Sequence, residues 1–118
     1  MNDLKLIILA CVLTIVSCTQ ESPLDIEPAN LISEEKMVDI LIDVHITESA
    51  LSLKNFSRDS SLRLFAYYKE DIYKEHTITE TQFRESFDYY ARHAKQFDAI
   101  YVAVIDSIAV KEATGKLE

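Results

Sequence analysis

Between Asn30 and Thr114 the chain contains neither glycine nor proline. Those residues punctuate turns, and a sheet protein of this length needs many of them. A stretch without either favours long helices with short polar joints. There is enough apolar material to give such helices a core, since 48% of residues are hydrophobic, among them six Tyr and five Phe. With roughly 80 residues left after the termini, burial only just outweighs chain entropy.

Capping signals divide the stretch. Ser33 is a good N-cap, and Glu34 and Glu35 complement the dipole of a first helix predicted over about 34–54. On it Met37, Ile40, Leu41, Val44 and Leu51 share one face, while Ile42, Ile46 and Leu53 lie nearly opposite. A surface helix carries one apolar stripe. Two stripes mean either burial on both sides within the domain, the preferred reading, or one stripe kept for a partner. Lys54 to Ser61 reads as a polar joint, followed by a helix over about 60–76 with Phe65, Tyr68 and Ile72 on one side and Leu64 and Tyr73 at its edges.

Thr79 and Gln82 form a capping box, and Ile78 and Phe83 a hydrophobic staple, so a third helix starts at about 80. From there Phe83, Phe87, Tyr90, Ala94, Phe97, Tyr101, Val104 and Ile108 alternate spacings of four and three, a coiled-coil seam. Either one helix carries it, or a bend at Arg92–Lys95 makes two, over about 80–92 and 95–113. Gly115 suits the C′ position, with 115–118 left as a tail. The expected fold is all-α: a small bundle of three to four helices over 33–114.

The N-terminus reads as an export signal. Lys5 and the free amine precede an apolar run from Leu6 to Val16, interrupted by Thr14. At about 11 residues the run is too short to span a bilayer, which takes about 20, and fits the core of a secretory signal. It ends Ile15-Val16-Ser17-Cys18, which resembles the lipobox of bacterial lipoproteins. The small Ser17 admits the signal peptidase and the Cys18 thiol takes the diacylglyceryl group, so 1–17 is the cleaved signal. The covalent diacylglyceryl and N-acyl lipid on Cys18 are the only non-protein groups expected. Residues 18–32 carry Pro23 and Pro28 without helical period and read as an extended tether, spanning up to about 40 Å. Thr19 follows the cysteine, rather than an inner-membrane retention aspartate, so the outer membrane facing the periplasm is preferred.

Formal net charge is −8, which disfavours nucleic acid and gives no attraction to anionic lipid. Both cysteines, Cys11 and Cys18, fall in or beside the signal, so the mature domain has no disulfide.

Two blocks carry a family resemblance: ISEEKMVDILIDVH at 32–45, and a second running from Tyr73 through Thr79, Gln82-Phe83, Ser86-Phe87, Tyr89-Tyr90 and Arg92-His93 to Tyr101. Over about 28–105 the chain resembles the Bacteroidota lipoproteins known as domain of unknown function 4296. The resemblance implies location and fold and brings no activity. In that family a proline commonly follows the histidine matching His93, and this chain has Ala94 there. Proline would begin a new helix, which favours the bend, while alanine leaves a continuous helix open.

Candidate sites are few. Glu48 projects onto the main apolar face of the first helix, between Val44 and Leu51; if buried its carboxylate needs a partner or a raised pKa, and the preferred reading is a structural hydrogen bond or exposure at a helix edge. His45 lies one turn before it. Bundle metal centres take a Glu-x-x-His pair on each of two helices plus further glutamates. Here one pair occurs, in reverse order, and no metal is assigned. His76 and His93 sit at helix ends, where imidazoles satisfy carbonyls. In Tyr67-Tyr68 and Tyr89-Tyr90 the second ring points inward, leaving Tyr67 and Tyr89 either half-buried, the commoner outcome, or exposed for an interface.

No phosphate loop, nucleophile elbow or Cys–His pair can be assembled, and an enzyme is not expected. The reading is a non-catalytic interaction or accessory module in the cell envelope. Its candidate partner surface is Ile42, Ile46, Leu53, Tyr67 and Tyr89, and its partner another envelope protein. The alternative is a small-ligand or chaperone-like binder using an inter-helix groove near His45 and Glu48.

Overall fold

A computed structural model describes residues 26–115. Within them lie four helices and no strand: α1 Glu34–Ser52, α2 Arg58–Glu75, α3 Glu80–Arg92 and α4 Ala94–Thr114. The expected signal, lipobox and first part of the expected tether fall outside the described residues.

Each helix begins where a side-chain oxygen satisfies an early backbone N–H, except α4. The Ser33 hydroxyl accepts from Lys36 N, Ser57 from Ser60 N, and Thr79 from Gln82 N. The α1–α2 joint is therefore shorter than the polar run suggested, because Ser57 lets α2 start inside it. At Thr79 only half of the expected box forms, since the Gln82 amide turns away to donate to Asn30 O at 3.0 Å. The end of α2 is a Schellman turn: Ile78 N donates to Tyr73 O and Thr77 N to Lys74 O. Thr77 adopts φ 54° to make it, an unusual conformation for a β-branched residue.

The bend is real. His93 breaks the ladder at φ −106°, ψ 79°, and α4 starts at Ala94. Its Nδ1 donates to Tyr89 O at 2.7 Å, and its ring lies 4.1 Å from that of Tyr89. Tyr89 is thereby half-buried as part of the corner, the commoner of the two outcomes expected for it. His76 does not follow the carbonyl reading: its Nε2 meets Asp43 Oδ2 at 2.7 Å, tying the end of α2 to the middle of α1.

The α1 helix is sandwiched between α2 and α4, and α3 packs on α4. The two stripes of α1 are thus largely explained within the domain. Met37, Ile40, Leu41 and Ile42 are all buried in one cluster with Ile32, Ile72, Tyr90, Ile100 and Val104. Ile42, at 5% exposure, is removed from the partner surface by α1 having neighbours on both sides. Rings connect the four helices in sequence: Tyr73 to Phe83, Phe83 to Phe87, Phe87 to Phe97, Phe97 to Tyr101 and Tyr101 to His45, with centroids 4.7–6.0 Å apart.

The last residues of the expected tether belong to the fold. Ile32 is buried; its N–H donates to the buried Ser86 hydroxyl at 3.0 Å, and its carbonyl accepts from Tyr90 Oη at 2.6 Å. Gln82, Ser86 and Tyr90 stand one turn apart on α3 and hold Asn30–Ile32 as a strap. An isoleucine buried this deeply removes its segment from the tether and places it in the core.

Candidate interaction surface

The strap and α3 close one end of the bundle. Near that end α1 and α4 start together, with Gln96 Nε2 donating to Glu34 Oε1 at 2.9 Å. The two helices run parallel, so Ile108 and Glu112 reach the level of Ser49 and Leu53. The α2 helix runs the other way, bringing Arg58 and Leu62 beside Leu51 and Ser52. The α3 helix stays with the strap at the closed end. The buried cluster reaches Ile42 on α1, and beyond it only Leu51 is buried on that helix.

The other end is open and apolar. Leu53 is 85% exposed, Leu62 60% and Val110 63%, and Phe56 is also exposed. Grooves of about 300 Å³ and about 380 Å³ lie on the two sides of α1, against α4 and α2 respectively. Ile46 is half-buried and lines the α4-side groove together with His45 and Leu53. Exposed apolar side chains gathered in one region mark interaction sites more than scattered ones do.

The sequence-derived site residues divide on this frame. Leu53 and Tyr67 are exposed, Ile46 is a half-buried groove wall, Tyr89 is half-buried at the α3–α4 corner, and Ile42 is buried. Tyr68 was expected inward but is 44% exposed, edge-on to Tyr67. Glu48 is not buried: it is exposed, and its Oε2 lies 3.2 Å from His45 Nδ1. The helical wheel places it correctly on the main face of α1, but that face is no longer covered at its level. Its carboxylate is still felt inside, because burial first and then Glu48 raise the Tyr101 phenol above its ordinary pKa. Among the described residues no group of three His, Cys, Asp or Glu side chains is placed to hold a metal ion. Nor is any described helix long and apolar enough to cross a membrane.

The family comparison covers the strap as well as the four helices. Residues 28–114 match the domain of unknown function DUF4296. The chain belongs to that family. No curated protein and no solved structure matches it. The DUF4296 match runs from Pro28 to the end of α4, so the strap counts as part of the domain by sequence as well as by burial.

The sequence reading missed the outer side of α4 in this DUF4296 domain. Val102 is 58% exposed and Ile105 63%. The signal was present: between Ala99 and Val110 the sole charged residue is Asp106. A helix apolar on all sides needs neighbours on all sides, and among the described helices α4 packs chiefly on α1 and α3.

Proposed function

We propose that this DUF4296 protein is a non-catalytic interaction module, held on a cell-envelope membrane by lipid on Cys18. The observation that carries the reading is the open end, where Leu53, Phe56, Leu62 and Val110 stay exposed around grooves beside α1. Support for the anchor comes from Ile15-Val16-Ser17-Cys18 at the end of a short apolar run. One acyl chain binds a bilayer only marginally, whereas two or more hold it stably, so the domain needs no membrane-binding patch of its own. Thr19 after the cysteine favours the outer membrane, with the domain in the periplasm.

The test joins fractionation to crosslinking in intact cells. Wild type is expected in the membrane fraction with a discrete crosslinked partner, and Cys18→Ser in the soluble fraction. A Leu53→Asp/Ile105→Asp variant, with its helix content checked by circular dichroism, is expected to stay on the membrane and lose the partner. Soluble wild type defeats the anchor, and capture unchanged in the folded double variant defeats the surface.

A second reading, a small-ligand or chaperone-like binder, has its support in the groove of about 380 Å³ where Leu51, Leu62 and Phe65 meet Glu48 and Arg58. Binding of an apolar dye that Leu62→Asp abolishes, with partner capture intact, would favour it.

A further inference from the structure

The outer side of α4 carries a second seam. Asp98, Val102, Ile105, Ala109 and Glu112 follow one another at spacings of four, three, four and three, and all are exposed. The inner seam of the same helix, Phe97, Tyr101, Val104 and Ile108, has that spacing and is packed into the domain. Spacings of four and three bring side chains into line for pairing with another helix. The outer seam is apolar at its centre and acidic at both ends, about 21 Å apart at the helical rise.

Among the described residues Asp98 and Glu112 enter no ion pair, although Lys95 lies one turn before Asp98. Glu112 also lines the groove between α1 and α4, two turns along the same face from Ile105.

The charges select the occupant. Two copies paired in parallel would set Asp98 against Asp98 and Glu112 against Glu112. Paired antiparallel, Asp98 would face Glu112. Like charges meet in both arrangements, which opposes self-association along this seam. An anionic lipid surface meets the same repulsion.

We propose that this seam docks an amphipathic helix of another envelope protein, apolar at its centre and bearing Lys or Arg at two seam positions about 14 residues apart. The proposal rests on the interaction-module reading and adds the chemistry of the partner. Binding is by complementarity: apolar contact at Val102, Ile105 and Ala109 supplies burial, and the paired ends fix register and direction.

The experiment uses the full chain and two synthetic helical peptides with the same leucine seam, one ending it in Lys at both sides, the other in Glu. Fluorescence anisotropy is expected to show the Lys-ended peptide binding about tenfold more tightly. Asp98→Lys/Glu112→Lys is expected to invert that preference, and Ile105→Asp to weaken both peptides while circular dichroism stays unchanged. Equal affinities, or a preference that survives the charge swap, overturn the proposal. So does sedimentation showing a wild-type dimer that Ile105→Asp dissociates, which would give the seam to a second copy. If crosslinking from position 105 captures a partner in cells while the peptides show no end-charge preference, this chemistry is wrong and the interaction reading stands.

Discussion

At the scale of single residues, the core is kept sound by giving every polar atom inside it a use. Among the described residues no buried side-chain nitrogen or oxygen lacks a partner. Tyr73 shows the cost of changing such a group: burial, and then the Glu80 carboxylate, push its phenol up to about 12 from 10.0. A pKa raised by folding means that the neutral form is favoured in the native state. The associated stability is complete below pH 10 and lost as pH rises from 10 toward 12. Circular dichroism during alkaline titration is therefore expected to show helix loss in that window, shifted to higher pH in Tyr73→Phe; an unshifted curve would assign the loss to other groups. Tyr90 and Tyr101 move in the same direction, burial again the first cause. Glu48 marks where single-residue reasoning stopped: the wheel gave its face, but whether that face is covered depends on how closely α2 packs at its level.

At the scale of elements, the helix starts were legible where a signal is local. Ser33 and Thr79 start their helices and Gly115 stops the last one, each acting through neighbours within a turn. The α3–α4 bend lay between two readings because Ala94 forbids neither. With His93 at ψ 79°, position 94 is the first of a helix, where proline's fixed φ fits and its missing N–H costs little. Ala94→Pro is accordingly expected to keep the fold and to raise stability by up to about 1 kcal/mol, while Ala99→Pro in the helix interior costs about 3 kcal/mol or more. Urea unfolding separates the two, and equal losses would mean that α3 and α4 act as one helix. The outer seam of α4 escaped notice because the inner seam, rich in aromatic rings, already accounted for the helix.

At the scale of the molecule, the two ends are built differently. One is closed by the strap and α3; the other is open and apolar. The strap was not legible because its partners lie far along the chain, Ser86 and Tyr90 being 54 and 58 residues from Ile32. Two prolines and no periodicity in the segment before it read only as linker. Removing the Ser86 hydroxyl would leave a buried N–H unpaired, so Ser86→Ala is expected to lower unfolding stability by about 1–3 kcal/mol. In a domain this small that shifts the urea midpoint visibly; no shift would mean the strap is dispensable. The strap also decides how the domain bears load. Asn30 is held by Gln82 and Ile32 by Ser86 and Tyr90, so the strap follows α3 in the same direction. A pull from the N-terminus reaches the exposed Gln82 bond first and the buried pair at Ile32 last. On the proposed anchoring at Cys18, a pull from the N-terminal side is therefore expected to be taken up by these bonds before it reaches the helices.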